Sequence, residues 1–133
     1  MGLKWSDIDF ENMTVSVNRT RDANGVRSPK TKNSYRTIKV IEELITQLTV
    51  YRKWCKELML SFGKHLSEDD FIFINKSTMN PVIHTLIRYA IDRVTKKEKL
   101  KRILVHGLRH THATILICKR IPVKVIADRL GWS

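Results

Sequence analysis

Long apolar runs are missing from this chain, and no stretch approaches the roughly 20 residues that cross a bilayer. Glycine-rich phosphate loops are missing too, so nucleotide hydrolysis has no motif to support it. The first residues, Met1-Gly2-Leu3-Lys4-Trp5-Ser6-Asp7, do not have the basic-then-apolar layout of a signal peptide. Cysteine is scarce: Cys55 and Cys118 each sit inside an apolar helical pattern, which predicts buried free thiols in a reducing, cytoplasmic setting rather than a disulfide. There are no internal repeats and no low-complexity tracts. Acidic residues are the most telling shortage, because 13 Asp and Glu face 25 Lys and Arg, a net charge of +12. An imbalance of that size in a small protein points to a polyanionic partner, nucleic acid first, against the blander reading of a merely basic, soluble protein.

What is present reads as a single domain over residues 1–133, with 42% hydrophobic residues and 29% charged, enough apolar material to fold. The cations cluster. Arg27, Lys30, Lys32, Arg36 and Lys39 fall in one stretch, and Lys96, Lys97, Lys99, Lys101 and Arg102 in another. Leu3-Lys4-Trp5 reads as the last turn of a helix whose beginning is not in the sequence. Met13, Val15 and Val17 alternate with polar residues, the period of a half-buried strand. Asp22-Ala23-Asn24-Gly25 is a turn signal. Further strands are expected over 26–31, broken by Pro29, and over 35–40, the three forming one antiparallel meander.

From Ile41 the period becomes helical. Ile41, Leu44, Ile45, Leu48, Tyr51, Cys55, Leu58 and Met59 predict a long helix ending near Gly63. Phe71 to Ile74 reads as a short buried extended segment. Asn80 as cap and Pro81 at the first position predict a second helix, with Val82, Ile83, Leu86, Ile87, Ala90, Ile91 and Val94 as its stripe. The run Lys96 to Arg102 reads as a solvated loop. A third helix starts around His106 and turns Leu108, Ile115 and Leu116 inward; a fourth starts at Pro122 with Val125, Ile126 and Leu130 on one face. The sum is an α+β fold, mainly helical, with a small three-stranded antiparallel sheet packed beside a helical bundle. Gly131-Trp132-Ser133 follows a helix end without a closing element, so the sequence reads as cut at both ends.

The chemistry concentrates in His106-Gly107-Leu108-Arg109-His110-Thr111-His112-Ala113-Thr114. His106 and Arg109 stand one helical turn apart, so a proton-trading imidazole and a fixed, forked cation face one point. That combination suits a phosphodiester under attack. The amino end of a helix adds free N–H groups for an anion. A lysine on the basic hairpin, Lys30, would be a mobile proton donor. Each residue also has a plain reading: His106 as a polar cap, Arg109 as a salt-bridge partner, Lys30 as a solvated turn lysine. His110 and His112 read as structural, and Tyr35, Tyr51 and Tyr89 as packing residues. His106 and His110 have the spacing of a zinc-binding helix, but Gly107 occupies the place of the general-base glutamate and neither carboxylate pairs nor cysteine ligands accompany them. No metal or other cofactor is expected.

That nine-residue segment resembles the H-x-L-R-H-T-x-A-T box of phage-integrase-type tyrosine recombinases. Leu3 to Asp9 resembles the segment after that family's first catalytic arginine, Pro29 to Ile38 its lysine-bearing β-hairpin, and Val123 to Gly131 the helix before its second catalytic histidine. The resemblance covers nearly the whole chain and implies the catalytic fold of DNA breaking-rejoining enzymes. It further implies that a tyrosine attacks a DNA phosphate to give a 3′-phosphotyrosyl link, with bond energy conserved and neither ATP nor metal required. By the same mapping Arg109 stabilises charge on the phosphate, His106 assists proton transfer, Lys30 protonates the leaving 5′ oxygen, and Trp132 replaces the second histidine as a hydrogen-bond donor. Lys32, Arg36, Lys101 and Arg102 would contact DNA. The implied partners are double-stranded DNA and further recombinase protomers in a tetramer, with neither membrane nor small-molecule substrate. The family's first arginine and nucleophilic tyrosine would lie outside residues 1–133, so this chain alone is expected not to cut DNA. The rival reading is a non-catalytic DNA-binding remnant of the same fold.

Overall fold

The computed structural model describes residues 2–22, 24–27 and 35–132. They form two compact units, Met1–Val82 and Ile83–Ser133. The first begins with a 3₁₀ turn, Trp5–Asp7, followed by β1 (Ile8–Asp9), β2 (Thr14–Val17), β3 (Thr20–Asp22), β4 (Gly25–Arg27), β5 (Arg36–Lys39) and α1 (Glu42–Ser61). The second holds α2 (His84–Lys97), α3 (Val105–Cys118) and α4 (Val123–Leu130).

In the first unit β2 is the middle strand of an antiparallel sheet ordered β1-β2-β5, with Ile8 opposite Val15 and Val15 opposite Ile38. β3 and β4 close on each other as a separate hairpin, Asp22 pairing with Gly25. The single meander expected from the sequence is therefore divided. Val26 is exposed, so the hairpin has little apolar surface to offer the sheet, whereas Ile38 packs onto the core beside Val15. Burial decided which strand β2 would take as a partner. β1 escapes sequence reading because two residues cannot display a period.

The core of this unit is built on Trp5, 0% exposed, with Ile8, Val15, Cys55 and Ile72. Leu3 to Trp5 is not the end of a helix. Lys4 pairs with Phe71 in an antiparallel bridge, and the Lys4 N–H donates to the Asp7 carboxylate at 2.8 Å, closing the short turn. Asp7 is buried, as a carboxylate can be only when matched: Arg19 pairs with it and Asn18 donates to it at 3.3 Å. The buried extended segment expected at 71–74 is realised only in part: isolated bridges at Phe71 and Ile74 flank a bend, Phe73 is exposed, and Ile72 is buried, its N–H donating to the Leu3 carbonyl at 3.0 Å and its carbonyl accepting the Tyr51 hydroxyl at 2.9 Å. The predicted long helix is α1, and its buried Cys55 is a free thiol. Cys118, expected to be buried, is exposed.

Pro81 does not open a helix. It pairs with Ile74 in an isolated bridge, and the Val82 N–H donates to the Phe73 carbonyl at 2.9 Å, so this stretch serves the 71–74 segment and α2 waits until His84. α2 also runs on into the basic stretch, reaching Lys97. In the second unit the core is small: Ala113, Ile126 and Leu130, with Leu116 and Ile121 against them. Leu108, Ile115 and Val125, expected to face inward, are 47%, 49% and 52% exposed. Three helices joined by short links cannot wrap all sides of one another, so only α3 positions near Ala113 meet α4. Tyr35 and Tyr89 are likewise exposed, and among the three tyrosines Tyr51 fulfils the packing expectation.

Candidate active site

α3 opens directly into its own motif. Leu104 is the residue before the helix and gives no side-chain cap; its carbonyl accepts the Gly107 N–H, next to His106, at 2.8 Å. His106 is exposed, and its ring meets that of His110 edge-on, with centroids 4.8 Å apart at 81°. His110 thus braces the outer face of the helix and is not a core residue. Among the described residues no group of three or more His, Cys, Asp or Glu could hold a metal ion.

One turn on, Arg109 is half-buried, and its surroundings come from the end of α4. A terminal guanidinium N–H donates to the Leu130 carbonyl, and the guanidinium carbon stands 5.7 Å from the Trp132 ring centroid. Its Nε is buried without a hydrogen-bond partner. An unpartnered buried donor carries a desolvation cost, which Arg109 shares with Trp5 Nε1 and Arg52 Nε. The sequence accounts for this arrangement. Gly131 takes a left-handed conformation, φ 65° and ψ 38°, which costs glycine nothing. Its N–H donates to the Asp128 carbonyl at 3.2 Å, and the Trp132 N–H to the Ala127 carbonyl at 2.9 Å. This paired ending stops α4 and turns Trp132 back over Arg109. Leu130, buried beside Ala113 and Ile126, anchors the turn.

Of the residues picked out by sequence, Arg109 and Trp132 are therefore brought together, with His106 one turn before Arg109 on the same helix. Lys30 and Lys32 lie outside the described residues. Arg36 opens β5 opposite Val17. Lys101 is exposed. Arg102 is exposed and grips Asp92 through two hydrogen bonds, at 3.0 and 3.1 Å. The guanidinium holds the Asp92 carboxyl below its ordinary range, and Asp92 raises Arg102 in return. Sequence reading also missed a contact between α3 and α4. Arg129 Nε donates to His112 Nε2 at 3.1 Å, linking α4 to α3. Two residues seventeen apart, each with an unremarkable neighbourhood in sequence, carry no signal of pairing.

The family model of the phage integrase family matches residues 1–133, and the chain belongs to that family. It is 32% identical to a tyrosine recombinase XerC-like protein of Caldanaerobacter subterraneus subsp. tengcongensis, covering 100% of this chain and 38% of that protein. With the ICEBs1 integrase of Bacillus subtilis it shares 30% identity over 98% of this chain and 36% of the other. The chain thus spans less than two fifths of the length of these relatives. Among solved structures, the Tn1549 transposon integrase in complex with a circular intermediate DNA superimposes with a TM-score of 0.81 at 24% identity, over 99% of this chain and 45% of that one. The XerA recombinase does so with 0.72 at 26%, over 98% and 41%. The α+β fold is that of these recombinase domains.

Proposed function

We propose that residues 1–133 are part of the catalytic domain of a site-specific tyrosine recombinase that cuts and rejoins duplex DNA to integrate or excise a mobile element. The observation that carries this reading is Arg109: a guanidinium held by the Leu130 carbonyl and the Trp132 ring, with its buried Nε unpartnered, inside the family's own motif. Family membership over the whole chain and a relative solved in complex with DNA support it.

In this mechanism a tyrosine from outside residues 1–133 attacks the phosphorus. The bond to the 5′ oxygen breaks, and a 3′-phosphotyrosyl link and a free 5′-hydroxyl result; a 5′-hydroxyl from another strand then reverses the step. Arg109 neutralises the charge that builds on the non-bridging oxygens, an effect that is large where water is displaced. His106, exposed at the helix start, helps move the tyrosine proton and adds a donor to the phosphate. Trp132 contributes its indole N–H as a donor that cannot itself titrate. Lys30 is assigned the proton delivered to the leaving 5′ oxygen, and Lys32, Arg36 and Lys101 backbone contacts. Arg102 joins them only by sharing its guanidinium with Asp92. Assembly as a tetramer on paired DNA sites and a cytoplasmic location complete the proposal; no helix among the described residues is long and apolar enough to cross a membrane.

The test is a suicide duplex, nicked so that cleavage traps the enzyme, incubated with the whole protein of which this chain is part. A tyrosine-linked covalent adduct is expected. In Arg109→Ala the adduct should form about 10²–10³-fold more slowly, the usual loss of one oxyanion donor. Absence of any adduct from the wild-type protein, with duplex binding retained, would favour the non-catalytic DNA-binding remnant.

A further inference from the structure

Two arginines cross between α3 and α4 in opposite directions. Arg109 reaches from α3 to the Leu130 carbonyl at the end of α4, and Arg129, the residue before Leu130, reaches back from α4 to His112, three residues after Arg109. Arg129 and His112 are both half-buried. A guanidinium N–H can only donate, so the His112 Nε2 receiving it at 3.1 Å must present its lone pair. Nε2 is thereby the accepting nitrogen of the ring. Between the two crossings Ala113 is buried against Ile126 and Leu130, its small side chain letting the helices approach. Whatever moves Arg129 also moves its neighbour Leu130, and with it the carbonyl that holds Arg109 and the Gly131 turn that sets Trp132 over the guanidinium.

We propose that the hydrogen bond from Arg129 to His112 is a positioning device for the Arg109 site: it locks the end of α4 onto α3 so that the Leu130 carbonyl and the Trp132 ring orient the guanidinium. This rests on the reading of Arg109 as the phosphate-binding residue. His112 is thereby a positioning residue; nothing places it against the reacting atoms. A displacement of about 1 Å in such a group can cost up to roughly a hundredfold in rate, so even a small slip of α4 is consequential.

The decisive comparison is His112→Phe, which keeps a ring but has no acceptor, against His112→Gln, whose Oε1 can still accept from Arg129. Adduct formation on the suicide duplex is measured in a single turnover with DNA saturated by protein, and DNA affinity separately. His112→Phe should cleave about tenfold more slowly or worse, with affinity unchanged, and His112→Gln should restore the rate to within about threefold. A wild-type rate in His112→Phe, or equal loss in both variants, overturns the proposal. Should His112→Phe fail to fold, nitrogen-15 spectra of the wild-type protein decide instead: an unprotonated Nε2 at His112 is expected at neutral pH, and a proton there overturns the proposal. Should the wild-type protein form no adduct, the recombinase reading fails by itself. The positioning claim is then read from the Trp132 indole N–H resonance, displaced in His112→Phe and restored in His112→Gln; a resonance unmoved in His112→Phe overturns it.

Discussion

Arg109 is held by two contacts that occupy only part of its hydrogen-bonding capacity. One N–H goes to the Leu130 carbonyl and one face to Trp132, while the buried Nε waits without a partner. Arg52 likewise leaves a buried Nε unpartnered, but it pairs with the Glu68 carboxylate, as Arg19 does with Asp7 and Arg102 with Asp92; what holds Arg109 is a carbonyl and an aromatic face. The two cysteines differ as sharply. Cys118 is exposed, whereas Cys55 is enclosed in the Trp5 core, and burial pushes its thiol upward. The thiolate is the reactive species, so a raised thiol reacts slowly even before access is considered. A maleimide titration at neutral pH should therefore label Cys118 at once and Cys55 only when the protein is unfolded. Rapid labelling of both would contradict the buried position of Cys55.

Among elements, α4 depends on its ending more than on its length. It has eight residues, too few to hold together by propensity alone, and its place is set by Ile126 and Leu130 and by the turn at Gly131. A side chain at φ 65° is strained, so Gly131→Ala should lose about 1–2 kcal/mol in a urea unfolding titration and displace Trp132. Gly107 in α3 makes the opposite case. A Cβ there would meet the Ile103 Cβ at 3.8 Å, ordinary contact, and its backbone is helical. Gly107→Ala should stabilise by up to about 1 kcal/mol, the difference in helix propensity. Equal effects from the two alanines would mean that the left-handed turn does not hold α4.

For the whole molecule the dominant quantity is the net charge of +12. Duplex binding by such a surface is driven by release of counterions from the phosphates. A protein covering about six phosphates loses roughly a thousandfold in affinity between about 50 and about 200 mM salt, and a decline of that order is expected for this chain on random-sequence duplex. Fluorescence anisotropy at stepped salt concentrations measures it. An affinity indifferent to salt would mean that the basic clusters are not the contact surface.

The sequence by itself determined the elements with long or regular patterns: α1 from its eight apolar positions, β2 from its alternation, and α3 from the motif beginning at His106. It also marked out the candidate site, because His106 and Arg109 are neighbours along one helix and need no folding to be recognised as a pair. It misplaced what distant contacts govern. Pro81 satisfied every local rule for opening a helix, yet pairing with Ile74 claimed it. Leu108, Ile115 and Val125 had the right spacing for a core that three helices are too few to enclose. Only the tertiary structure decided that Trp132 lies over Arg109, that Arg102 is held by Asp92, and that His112 receives Arg129. Such pairings follow from where whole helices end and meet, a matter of packing geometry and of the need to satisfy donors taken out of water, which local spacing does not encode.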